Sequence, residues 1–144
     1  AAGVAASMEL DNGYDTIITK TGATGEALES LTTVADNVFS DMPTTMDDVG
    51  VAVGEVNTRF GATGTELENL SKEFIKFANI NGTDLNTAID SVDSIMTKFG
   101  VDASQTKNVL GLMTKAGQDT GISMETLETA LTTNGASVTR LPIR

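Results

Sequence analysis

The chain has 144 residues, 40% of them apolar but only 4% aromatic, with no Trp, Cys or His. It carries 20 acidic and 9 basic side chains, a net charge of −11. That balance argues against nucleic acid and anionic membrane surfaces as ligands, because phosphates call for clustered Lys and Arg. Without Cys there is neither a disulfide framework nor thiolate chemistry. Without His, the commonest metal ligand and the usual general base are both missing. No catalytic, cofactor-binding or metal-ligating residue is therefore expected, and the chain does not read as an enzyme. An apolar fraction of 40% fits a folded domain, and with so few aromatics the core falls to Leu, Val, Ile, Met and Ala.

Residues 1–21 read as a short N-terminal element. Leu10, Tyr14 and Ile17 are spaced for one helical face, and Asp11 or Asn12 would start a short helix running to Lys20. The β-branched run Thr16-Ile17-Ile18-Thr19 fits an extended segment equally well.

From Gly22 onward the chain repeats with a period of 39, in units 22–60, 61–99 and 100–138. GATGEALESL at Gly22–Leu31 returns as GATGTELENL at Gly61–Leu70, and the first two units share 11 identical positions. The first half of each unit carries a stripe stepping +3, +4, +3. It reads Leu28, Leu31, Ala35, Val38; then Leu67, Leu70, Phe74, Phe77; then Thr106, Val109, Met113, Ala116. The second halves continue it with Met46, Val49, Val53, Val56, Phe60; then Leu85, Ala88, Val92, Ile95, Phe99; then Met124, Leu127, Leu131, Asn134, Val138. Thr24, Thr63 and Asp102 are placed to cap the first helices, and Thr45, Asp84 and Ser123 the second ones. Thr63 with Glu66 makes a capping box. Met42-Pro43, Asn81-Gly82 and Thr120-Gly121 are the breakers between them.

The predicted fold is all-α: six main helices in three hairpins, starting near residues 25, 46, 64, 85, 103 and 124, with residues 139–144 as a tail. Gly61, the first glycine of the second GATG, is expected to end the helix that closes at Phe60 in a left-handed conformation, and the Thr of GATG to cap the next helix.

Rival readings of these stretches are weaker. GATG matches the GxxG loop that clamps a nucleic-acid backbone, but it is followed by Glu26, Glu29, Glu66 and Glu68 rather than bases. Asn79–Asp84 resembles a calcium loop, yet in that register the first and last ligand positions fall on Phe77 and Ala88. Asp47-Asp48 and Asp90 with Asp93 lie on polar helix faces. Residues 1–72 hold 12 acids and 3 bases, so a basic protein partner for this half is the alternative to a plain solvated surface.

TIITKTGATGEALESL, GEVNTRFGATGTELENLSKEFIKFANINGTD and GQDTGISMETL together resemble tail tape measure proteins of long-tailed bacteriophages, especially those of Gram-positive hosts. The likeness spans roughly residues 8–137. It implies a mostly helical section of a long virion protein that fills the tail tube, sets tail length, acts in tail assembly and leaves ahead of the genome. It implies the tail tube protein, tail assembly chaperones and tail tip proteins as partners. The chain opens on Ala and stops at Arg144 without a visible cap, which reads as an internal section of a longer protein. Compact hairpins fit a narrow tube poorly unless the section extends on assembly or occupies one end of the tail.

Overall fold

The stripes between Leu28 and Ala116 lie on helices. A computed structural model describes residues 2–120 and Thr126, with side chains from Leu10 to Ala116 and at Thr126. The elements are α1 (Ala2–Thr21), α2 (Gly25–Asp41), α3 (Met46–Phe60), α4 (Gly64–Asn81), α5 (Leu85–Phe99) and α6 (Thr106–Thr120). Among the described residues there is no strand, and the all-α class holds. The starts of α2 and α4, and those of α3 and α5, are 39 residues apart. The helix expected near 124, its cap Ser123 and the stripe residues Met124, Leu127, Leu131, Asn134 and Val138 lie outside the described residues.

Two expectations need correction. The N-terminal element is neither extended nor confined to residues 11–20, since α1 runs from Ala2 through Thr21. Ile17 is fully buried on it, and burying that face outweighs the β-propensity of the Thr-Ile-Ile-Thr run. The third first-helix opens as a 3₁₀ turn, Ala103–Gln105, and becomes α-helical only at Thr106. There Asp102 accepts the backbone N–H of Ser104, two residues on, which favours a turn of fewer residues than the α-helical one.

The caps follow sequence in part. Thr45 Oγ1 accepts from the Asp48 N–H at 3.1 Å, and the Asp84 carboxylate from the Thr87 N–H at 3.1 Å. Thr24 has the extended backbone of a cap but makes no side-chain cap bond. Gly25, just after it, takes φ +58°, so the chain is not yet helical where the bond would form.

Both glycines of each GATG are left-handed: Gly22 and Gly61 at φ +68°, Gly25 at +58° and Gly64 at +57°. The first of each pair closes the preceding helix. Gly22 donates to Ile18 O at 2.8 Å, and Gly61 to Asn57 O at 3.1 Å. The second, unanticipated, turns the chain out of the cap into the next helix.

The chain divides into two compact units, Ala1–Ile75 and Lys76–Arg144. In the first, α1 and α3 pack closest and run parallel. Gly13 lies at Met46 and Gly50, Lys20 lies at Gly54, and Thr58 Oγ1 donates to the Lys20 carbonyl. α2 and α4 also run parallel, joined by Asn37–Glu68 and Asp41–Lys72. Leu31, Val34, Ala35 and Val38 of α2, Met46, Val49, Val53 and Val56 of α3, and Leu67, Leu70 and Phe74 of α4 are buried. In the second unit α5 buries Leu85, Ala88, Ile89, Val92 and Ile95, and α6 buries Thr106, Leu110 and Met113. Thr106 Oγ1 donates to Ala103 O at 2.6 Å, which satisfies a hydroxyl on the apolar stripe.

Leu28, Phe60, Phe99 and Val109, expected in the core, are only half-buried. Phe60 and Phe99 close their helices, where the chain is leaving the packed layer. Phe60 stacks on Phe74 with ring centres 5.7 Å apart.

Candidate interaction surface

All three basic side chains among residues 1–72 are held in ion pairs. Lys20 Nζ lies 2.7 Å from Glu55 Oε1, and Arg59 Nε lies 2.6 Å from Glu55 Oε2. Lys72 Nζ lies 2.6 Å from Asp41 Oδ2 and 3.5 Å from Glu68 Oε1. One α3 carboxylate thus gathers a cation from α1 and another from its own helix. Burial pushes the Glu55 carboxyl up, but the bonds from Lys20 and Arg59 outweigh it and leave it below the ordinary value. Lys72 is raised, first by its bond to Asp41.

With the cations committed, the surplus of carboxylate is left on the surface of this half of the chain. Part of it gathers where α2 passes the start of α4. A shallow, open cleft of about 410 Å³ is lined there by Glu26, Glu29, Ser30, Thr33, Val34, Asn37, Gly64, Thr65 and Glu68. Asn37 Nδ2 donates to Glu68 Oε2 at 3.1 Å across it. The lining offers acceptors and hydroxyls and no cation, so it is suited to hydrogen-bond donors and positive charge. Its glutamates are the ones that follow the two GATG motifs, brought side by side by the parallel helices.

The other carboxylates singled out in the sequence are separated. Asp47 and Asp48 sit in the first turn of α3, where the helix dipole favours them. Asp90 and Asp93 lie on α5, the first exposed and the second half-buried. Among the described residues no group of three or more Asp or Glu is placed to hold a metal ion. Among the described residues no helix is long and apolar enough to cross a membrane. The Asn79–Asp84 stretch is a helix end and a turn: Asn79–Asn81 close α4, Gly82 is left-handed, the Thr83 N–H donates to Ala78 O, and Asp84 caps α5.

Tyr14 was read only as a stripe residue. Its hydroxyl donates to Asp36 Oδ1 at 2.6 Å and ties α1 to α2. That bond, with burial and the charges of Asp36 and Asp11, pushes its pKa up to about 12. Two hydroxyls, Ser71 Oγ and Thr83 Oγ1, are buried without a hydrogen-bond partner. Arg59 lies four residues after Glu55, a spacing that signals their pair, but nothing in the sequence marks Lys20 as its third member.

The fold defines the class, an all-α protein built from short helices with an acidic surface. No family model matches the chain, and neither does any curated protein or solved structure.

Proposed function

We propose that this chain is a structural section of a phage tail tape measure protein, acting in tail length determination and tail assembly and, through them, in genome delivery. The observation that carries the reading is the 39-residue register. The GATG joints, the helix starts and the apolar stripes recur together, in stretches that resemble that family. A repeat that buries its stripe against its neighbours needs no pocket, which suits an assembly element better than a catalyst. Its partners are then the tail tube protein, the tail assembly chaperones and the tail tip proteins, and its place is the virion tail.

The test is an in-frame deletion of residues 61–99 from the phage gene, with tail lengths measured by negative-stain electron microscopy. A helix rises about 1.5 Å per residue, so one unit read in extended form shortens the tail by roughly 60 Å. Unchanged tail length would remove this section from the ruler.

A second reading follows from the ion pairs: an acidic helical module that binds a basic protein through residues 1–72. Its three cations are neutralised within the chain, so the excess carboxylate is available to a partner. Salt-sensitive capture of a basic tail protein by the isolated chain supports it. Binding that is indifferent to salt overturns it.

A further inference from the structure

The apolar stripe keeps its phase across both GATG joints. From α1 into α2 it steps Ile17, Thr21, Thr24, Leu28, and from α3 into α4 it steps Val56, Phe60, Thr63, Leu67, each time +4, +3, +4. Residues 22–24 and 61–63 are not helical, and a turn of that kind resets the rotation of the helix that follows. A bent joint therefore makes no demand on this spacing. A continuous helix does, because its stripe must stay on one face. Between α2 and α3 the phase slips: Val38, Met42, Met46 steps +4, +4, and Pro43 stands there with no N–H for a helical bond.

The first bend is lightly held. Thr24 makes no side-chain cap bond, and the first helical bond of α2, Leu28 N–H to Thr24 O, is 3.5 Å long. By contrast α3, entered from Pro43, starts with a bonded cap and a first bond of 3.1 Å. The second bend is held more firmly, by Asn57 Nδ2 donating to Ala62 O at 3.0 Å and by burial of Ala62. At both bends the left-handed glycines have open space: a methyl group on Gly22, Gly25, Gly61 or Gly64 would meet nothing within 4 Å.

We infer that residues 10–75 have a second folded form, in which both GATG joints straighten together. α1 and α2 then make one helix and α3 and α4 another, and the two fold back on each other about Met42-Pro43 as a long antiparallel hairpin. α2 stays on α3, as in the compact form, while α1 exchanges α3 for α4. The stripe from Leu10 to Val38 covers the stripe from Met46 to Phe74, with Leu28 opposite Val56 and Phe60 and Ile17 opposite Leu67 and Leu70, so neither is left to solvent. The Tyr14–Asp36, Lys20–Glu55 and Asn37–Glu68 bonds belong to the compact form and are given up. Those bonds make the compact form the ground state of the isolated chain. The second form rests on the repeat and not on the tail reading.

Alanine at the four joint glycines tests this. Alanine is strained in the left-handed bends and is the best helix former, so each change should favour the straight form by about thirty- to a hundredfold. The chain has no Cys, so introduced pairs can carry spin labels. Asp11→Cys with Ser40→Cys, at two exposed positions, spans the first joint. In the parent, where Tyr14 bonds Asp36, these labels should lie within about 20 Å, as on two packed helices. With Gly22→Ala, Gly25→Ala, Gly61→Ala and Gly64→Ala combined, they should move to about 44 Å, the rise of one helix over that span. Thr19→Cys with Asn69→Cys reads the two arms, and in the alanine variant its labels should lie within about 20 Å. Circular dichroism should show no loss of helix, since the joints become helical. Asn at the same four glycines tolerates the left-handed region and should keep Asp11 near Ser40. A short distance from Asp11 to Ser40 in the alanine variant overturns the inference, as does a loss of helix, arms far apart at Thr19 and Asn69, or an asparagine variant that lengthens like the alanine one. None of these results bears on tail length, so this inference and the tape measure reading fail separately.

Discussion

Gly13 and Gly50 meet where α1 crosses α3, so closely that a methyl group on Gly50 would lie 2.7 Å from the Gly13 carbonyl oxygen. The obstacle is backbone, which cannot rotate aside. Gly50→Ala should therefore destabilise by about 1–3 kcal/mol, although Ala is the better helix former by about 1 kcal/mol. Gly54→Ala is the control. Its methyl would meet the Lys20 Cβ at 3.0 Å, a longer contact than the one at Gly50, and it should cost less. Urea denaturation of both variants checks the order, and a Gly50→Ala chain as stable as the parent would show the crossing to be looser.

The GATG joints fail for a different reason when altered. Around Gly61 and Gly64 a methyl group would meet nothing within 4 Å, but φ is +68° and +57°. Each Gly→Ala change should cost about 1–2 kcal/mol from backbone strain alone. Gly61→Asn should cost less, since Asn tolerates the left-handed region. Thermal melts of the three variants separate strain from packing, because equal losses for Ala and Asn would point to packing.

Phe74 and Phe60 stack, but only Phe74 is fully buried. Phe74→Ala should cost about 3–5 kcal/mol. Phe60→Ala removes a half-buried ring and should cost about half as much, with part of the loss being the stacking contact. A double-mutant cycle in urea measures the coupling, and strict additivity would mean the stack contributes nothing.

Glu55 links acid pH to stability. Its carboxyl titrates below the ordinary 4.5 in the folded chain, so its contribution is complete above that pH and is lost as acid protonates the folded form. Glu55→Gln should cost about 1 kcal/mol at neutral pH, and the gap to the parent should close as pH falls below about 4.5. A gap that widens in acid would reverse the assignment.

Tyr14 is the single tyrosine, so its ultraviolet absorbance titration reports one group. The midpoint should lie near 12 in the folded chain and near 10 in urea. The hydrogen bond to Asp36 therefore stabilises the fold up to pH 10 and is lost as pH rises through about 12. Asp36→Asn should bring the folded midpoint down, and an unchanged midpoint would sever the link to that carboxylate.

Much of the fold is local and was legible in the sequence. The +3, +4 stripes, the caps Thr45 and Asp84, and the glycine ending α3 depend on residues within a turn or two of each other, so spacing alone placed the helix starts at 25, 46, 64 and 85. Composition alone settled the absence of His and Cys chemistry. Other features needed partners far along the chain. The identity of Gly13 and Gly50 as contact points, the Tyr14–Asp36 bond, the sharing of Glu55 between Lys20 and Arg59, and the meeting of Glu26 and Glu29 with Glu68 follow from which helices lie parallel. The length of α1 was decided the same way, because burying Ile17 outweighs a run of residues whose own preference is for a strand. Local periodicity records which face of a helix is apolar; only the packed chain decides what that face is turned against, since burial energy comes from residues the sequence separates.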